Sequence, residues 1–341
     1  MRTDTRGGLI LSDLLRVRCT KQHHPSVKRT MKLPARRTER IRISPDVDAA
    51  IRKSAPVVAF EWPKEEASTR KIHIARELEA AIVEGGAIPA PIVVVDEQVR
   101  IGLSSAQIDE LIRSGRPKKF QATDLHTLSS FDGFAAPTAG ATHMLASKVG
   151  IGTVAVGAIG GVHRLPKELL DVSSDIFLFS RYSGCVVCSG VKPFLDIPNT
   201  LEMLEALCVS LVGWQTNYLP TYWSSPGSIR LRSRSDNLAE LARCASTQDL
   251  LGSGSALLVA NPVPKGAEIA NSILAPLIEE VEREVSESQA LGRDLTPRIV
   301  ARLEDSLGGV LRKASRALLL SNATLAAQLA VARCLPSGST A

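Results

Sequence analysis

Short runs of branched apolar residues alternate along this chain with longer segments whose apolar positions recur every three or four residues. Pro56–Glu61, Pro91–Val95, Thr153–Val156, Gly184–Gly190, Val209–Trp214 and Ala256–Pro262 read as buried strands. Helices are expected between them. Ser44 with Pro45 marks a helix start. Ile74, Leu78, Ala81 and Ile82 form a stripe that stops at Gly85–Gly86. Ser104–Gln107 is a capping box opening a helix through Ile112. Leu201–Ala206 and an Asn237-capped helix over Leu238–Cys244 continue the alternation. Long helices over about Ile269–Gln289, Thr296–Leu307 and Arg312–Ala332 close the chain. Strands alternating with helices predict an α/β fold with a largely parallel central sheet and a helical C-terminal layer. Two stretches do not follow the pattern. Residues 133–147, rich in Gly, Ala and Thr, read as a flexible or close-approach segment. Gly252–Ser255 reads as a plain turn, because it precedes its strand and lacks the lysine of a phosphate loop.

Composition narrows this picture. Aromatic residues make up 4% of the 341 residues, so the core must be built from Val, Ile, Leu and Ala. The net charge of +6 is misleading. Residues 1–42 carry twelve Lys and Arg against three acidic residues, which leaves residues 43–341 at −3. A basic nucleic-acid face on the folded part is therefore not expected. No run is expected to reach the length of a membrane span, and no membrane partner is expected. Two segments result: a basic segment, 1–42, and one domain over 43–335. The Arg-rich, acid-poor first segment reads either as an organelle-targeting presequence or as a solvated tail. The location is accordingly cytoplasmic or, through that segment, mitochondrial or another organelle. Six scattered cysteines suit a reducing compartment. Cys185 and Cys188 have the spacing of a metal pair, but positions i and i+3 of a strand face opposite ways and no second pair exists, so they read as core cysteines.

The densest candidate chemistry lies at Thr153–Arg164, followed by Asp171–Asp175. A buried strand runs into Gly157, Gly160 and Gly161, then into two carboxylates and two hydroxyls. Such a turn lets backbone N–H groups approach an anion, or it simply turns the chain. Glu61 ends a strand, where a carboxylate sits at a cleft edge or in a solvated turn. Lys119 reads as an anion contact or a surface lysine. Lys192 follows Gly190 among small and apolar residues. It is either an amine nucleophile toward a carbonyl or anomeric carbon, or a lysine snorkelling to solvent.

Several segments occur in one order and at one spacing: Pro56–Glu61, Gly86–Ala90, Ile101–Ser104, Gly157–Arg164, Asp171–Asp175, Gly190–Lys192, Trp214–Thr216 with Leu219–Pro220, and Ala260–Pro264. Together they resemble the pseudouridine-phosphate glycosidase family, also called indigoidine synthase A-like, over roughly residues 43–330. The resemblance implies an α/β/α sandwich and a homotrimer. It implies reversible cleavage of the C–C glycosidic bond of pseudouridine 5'-phosphate to uracil and ribose 5-phosphate, with a divalent metal, typically Mn2+. By the same resemblance Glu61 is the proton donor and Lys192 the nucleophile that forms a ribosyl imine. Asp171 holds the metal, and Lys119, Met144, Ser173, Ser174 and Asp175 contact substrate. The residue types suit the chemistry. A C–C glycosidic bond has no leaving heteroatom to protonate, so a carboxylate pair does not suffice, and an imine supplies the electron sink.

The chain departs from the family pattern in three places. Glu61 is followed by Trp62–Pro63 and a short charged loop. The segment Gly140–Ser147 is altered and shortened before Gly150. Ser315 stands where a late asparagine is expected beside the base. These departures keep two further functions open: a catalytically impaired homologue that binds a sugar phosphate or acts as a structural subunit, and the same lysine chemistry on a different base.

Overall fold

The computed structural model describes residues 40–63, 70–164, 170–225, 227–251, 254–287 and 295–335. Strand β1 (Ile41–Ile43) leads into α1 (Pro45–Arg52), whose first turn is capped by the Ser44 hydroxyl. Strand β2 (Val57–Glu61) is followed by α2 (Arg70–Glu84), which ends at Gly85–Gly86. Next come β3 (Ile88–Val95), β4 (Gln98–Ile101) and α3 (Ser105–Arg113), with both hydrogen bonds of the expected capping box formed. After β5 (Lys118–Phe120) and a 3-10 segment (Ala122–Ser130) come β6 (Phe134–Pro137) and α4 (Ala139–Lys148). The central unit is β7 (Thr153–Ala155), β8 (Val162–His163), α5 (Ser174–Arg181) and β9 (Gly184–Cys188). The chain finishes with β10 (Leu195–Asp196), α6 (Ile197–Ala206), β11 (Ser210–Trp214), β12 (Arg234–Ser235), α7 (Leu238–Leu251), β13 (Ala256–Ala260), α8 (Asn271–Glu287), α9 (Leu295–Leu307) and α10 (Gly309–Cys334).

The main sheet runs β1-β4-β3-β2-β7-β9-β13-β11-β12, and β6 joins β3 to β5. From β3 through β12 every neighbouring pair on that path is parallel. Antiparallel pairing in this sheet is confined to β3 with β4 and with β6. A two-residue turn at Asp96–Glu97 makes the first of these pairs a hairpin. The central strands are buried on both faces, which explains why their sequences run apolar without a polar alternate.

Strand periodicity separates the two larger of three core clusters, the third lying around Trp62, Val93 and Phe134. Val58, Phe60, Cys185, Val187, Leu257 and Val259 face α2, α7 and α10. Val57, Ala59, Val186, Cys188, Leu258 and Ala260 face the larger cluster, to which α4, α5, α8 and α9 contribute. The architecture is an α/β/α sandwich. Cys185 and Cys188 are fully buried on opposite faces, and burial pushes both thiols up to about 12.

The structure corrects four expectations. Residues 134–148 are not flexible but form β6 and a fully buried stretch of α4. Their small side chains let α4 lie close against α5, which is the close-approach alternative. Ile41 and Arg42 belong to the sheet, pairing with Val99 and Arg100, so the folded part starts slightly earlier than residue 43. Helix α7 continues to Leu251, beyond Cys244. Finally, α10 spans 26 residues and is long and apolar enough to cross a membrane by length and composition alone. Its burial explains that character. It lies across β2, β7 and β9 between α2 and α7, with Leu318, Ala323, Ala326 and Leu329 fully enclosed. The basic segment through residue 39, the loop after Pro63 and Gly252–Ser253 lie outside the described residues.

Candidate active site

A cavity of about 450 Å3 opens at the carboxyl ends of β2, β7 and β9, where an open parallel sheet receives its ligands. Glu61 is the last residue of β2, and the Gly157 N–H points at its Oε2 from 3.5 Å. The turn after β7 supplies Gly160 and Gly161, and the turn after β9 supplies Lys192. Gly190 explains that second turn. Its φ of 72° is left-handed, and a Cβ there would lie 2.0 Å from the Pro220 carbonyl oxygen. Only glycine lets the chain pass the 219–223 loop and deliver Lys192 to the cavity.

The opposite wall is built from two helix N-termini. Thr138 caps α4 and Ser173 caps α5, and both residues line the cavity. Asp175, in the first turn of α5, is buried and fully engaged. Its Oδ1 accepts from Thr138 Oγ1 at 2.7 Å and its Oδ2 from the Gly160 N–H at 3.2 Å. Gly160 can come this close because a Cβ on it would meet Ser173 Oγ at 2.1 Å. The N-termini of α4 and α5 therefore line one volume together with the cations Arg116, Lys119 and Lys192, which can hold an anionic group, and with the carboxylates Glu61, Asp171, Asp175 and Glu304.

Asp171 and His163 sit on the same side. His163 N–H donates to the Asp171 carbonyl at 2.9 Å, and β8 pairs antiparallel with β10, tying this strand to the segment after Lys192. The imidazole stacks on Phe194 and its Nε2 lies 3.0 Å from Thr296 Oγ1 on α9. Burial lowers the pKa of His163 below the ordinary value, Lys119 and Lys192 lower it further, and Asp171 opposes them. Asp171 Oδ2 and Ser174 Oγ are buried without a protein partner. A buried carboxylate oxygen left unpaired is costly unless something binds it, and a lone carboxylate completed by water and a phosphate suits a hard divalent cation. Among the described residues no three His, Cys, Asp or Glu gather as a closed metal cage.

Of the residues singled out in the sequence, Glu61, Lys119, Asp171, Ser173, Ser174, Asp175 and Lys192 all line this cavity. Met144 does not; it is buried in the core on α4. Ser315 is also off the cavity, and its hydroxyl accepts from the Trp223 indole at 2.8 Å. Sequence reasoning missed Thr138, His163 and the α9 wall of Thr296, Pro297 and Val300. His163 lies within the Gly157–Arg164 motif, which was the available signal. The α9 wall comes from more than a hundred residues away and had none.

Fold and cavity together define an α/β protein with a single-substrate-sized site of mixed cationic and acidic side chains at the carboxyl edge of its sheet. The sequence profile of the family described as indigoidine synthase A like protein matches residues 46–332. The chain belongs to that family. It is 33% identical over 294 residues to a pseudouridine-5'-phosphate glycosidase of Geobacillus kaustophilus, covering 84% of this chain and 96% of the relative. It is 36% identical over 298 residues to the enzyme of the same name from Methylobacterium nodulans, covering 85% and 87%. Among solved structures, the prealnumycin C-glycosynthase AlnA in complex with ribulose 5-phosphate superposes with a TM-score of 0.79 at 27% identity, covering 87% of this chain and 97% of that one. An indigoidine synthase A-like protein of Thermotoga maritima superposes with a TM-score of 0.76 at 29% identity, covering 86% and 96%.

Proposed function

We propose that this protein reversibly cleaves the C–C glycosidic bond of pseudouridine 5'-phosphate, giving uracil and ribose 5-phosphate. The observation that carries the reading is the joint presence of Glu61 and Lys192 on one cavity whose far wall is two helix N-termini. The names borne by relatives such as the Geobacillus enzyme support the substrate. In the forward direction Glu61 donates a proton to the ribose ring oxygen while the Lys192 amine attacks the anomeric carbon. The C–O ring bond breaks and a C–N bond forms. The attached nitrogen, now an ammonium, returns a proton to the Glu61 carboxylate, and its freed lone pair forms the imine as the C–C bond to the base breaks. The electron pair of that bond goes to uracil C5, which takes the proton back from Glu61. Water adds to the imine and releases ribose 5-phosphate, restoring the amine. Lys119, Ser173 and Ser174 hold the phosphate with the α4 and α5 N-termini.

Asp171, with its unpartnered buried oxygen, would hold Mn2+ or a similar divalent cation. When bound, that ion neutralises phosphate charge. The active form is a homotrimer. The test is direct: protein with Mn2+ and pseudouridine 5'-phosphate releases uracil, measured by chromatography, and absence of release from folded protein refutes the reading.

A second reading follows from the AlnA superposition, because that protein is named a prealnumycin C-glycosynthase and not a pseudouridine-5'-phosphate glycosidase. In it, Lys192 forms the same imine but the base is not uracil. An imine adduct with ribose 5-phosphate and no product with uracil would select it.

A further inference from the structure

Tyr222 has no role in the chemistry so far, yet it lies against the Lys192 amine and beside the Gly157 turn that faces Glu61. Lys192 Nζ stands 5.5 Å from the centroid of its ring, within cation–π range. A Cβ on Gly157 would lie 3.1 Å from the Tyr222 hydroxyl, and the Gly157 N–H is the group that faces Glu61. The residue is buried, and its backbone is left-handed, with φ of 60°. Bulky side chains rarely adopt that conformation, and it persists only where the surroundings enforce it.

The enforcement is visible. Tyr222 N–H donates to the Ser189 carbonyl at 3.0 Å, and Gly190 forms a bridge to Thr221, so the loop is fastened to the strand end that precedes Lys192. The Tyr222 ring meets Trp223 edge-on at 4.8 Å. Trp223 is fully buried, and its indole N–H is held by Ser315 on α10. A continuous set of contacts thus runs from Ser315 through Trp223 and Tyr222 to Lys192.

We propose that Tyr222 is a positioning residue for Lys192, holding the amine over its ring face and favouring the cationic imine, and that the Trp223–Ser315 hydrogen bond clamps it there. This rests on the imine mechanism proposed above. The ring face carries negative charge density, so it stabilises the iminium more than the neutral amine. A preorganised group of this kind acts on the reacting state rather than on phosphate binding, so its loss lowers kcat and leaves KM nearly unchanged.

The test compares wild type, Tyr222→Leu and Tyr222→Phe in borohydride trapping with ribose 5-phosphate, and in turnover of pseudouridine 5'-phosphate. Tyr222→Leu should trap and turn over about ten-fold more slowly at nearly constant KM, and Tyr222→Phe, which keeps the ring, should restore both. If Tyr222→Leu does not fold, Trp223→Phe carries the test, because it drops the bond to Ser315 and keeps an aromatic neighbour. It should slow trapping about three-fold. Equal trapping by wild type and the Leu variant overturns the proposal. So does a Phe variant as slow as the Leu variant, or an unslowed Trp223→Phe where that variant carries the test. A folded wild type that traps no adduct overturns the imine mechanism itself, so the two failures are told apart by the wild-type reaction.

Discussion

Thr138 donates a 2.7 Å hydrogen bond to Asp175 across the seam between α4 and α5. One residue caps α4 and the other lies in the first turn of α5, so this bond fixes how two helix N-termini aim at the cavity. Thr138→Val removes the donor and leaves a buried carboxylate oxygen unpaired. It should cost about 1–3 kcal/mol in urea unfolding, and KM for the sugar phosphate should rise as the dipoles lose their aim. Unchanged stability and unchanged KM would show that the seam is not held by this bond.

His143 makes stability depend on pH. It is fully enclosed on α4, its Nε2 lies 2.8 Å from the Tyr182 carbonyl, and burial lowers its pKa from 6.5 to about 4. Between those values the unfolded chain takes up a proton that the folded chain refuses. Stability is therefore highest above pH 6.5 and falls as the pH drops towards 4, by about 3 kcal/mol from this group. Melting temperature measured across pH 4–7 for wild type and His143→Gln should show the steeper acid loss in wild type.

Asp171→Asn tests the cation. Removing the formal charge should raise the Mn2+ concentration for half-saturation about ten-fold or more. Electron paramagnetic resonance of free Mn2+ reads this without reference to turnover. Equal Mn2+ binding by the two proteins would place the ion elsewhere.

Gly190→Ala puts a methyl group against the Pro220 carbonyl in a left-handed backbone. The turn must move, and Lys192 moves with it. A loss of about 2 kcal/mol or more in urea unfolding is expected, with turnover abolished in whatever folds. Retained activity would mean that the turn does not set the lysine.

Much of the fold is legible because helix and strand periods differ sharply here. Val57–Glu61 and Ala256–Ala260 are apolar runs too short for helices, and the Ser104 capping box is spelled out within four residues. The 134–148 region was harder, because its small residues lack a polar face to reveal a period: α4 is buried all round. Glu61 and Lys192 could be singled out because each ends a strand or follows a glycine turn, and such positions meet at one edge of a parallel sheet. Ser315 shows the limit. Read alone it is a small polar residue at a position where an asparagine is expected, and its partner Trp223 lies 92 positions upstream. Long-range pairs of this kind, like Thr138 with Asp175, have no local spacing to betray them.

The most direct test of the account is reduction of the Lys192 adduct. Protein supplied with Mn2+, uracil and ribose 5-phosphate, then borohydride, is digested and mapped by mass spectrometry, with Lys192→Ala in parallel. The account predicts pseudouridine 5'-phosphate in the unreduced sample and a reduced ribosyl adduct on the Lys192 peptide, both absent from Lys192→Ala. Nucleotide formation that survives in Lys192→Ala, or an adduct on a different lysine, would contradict it.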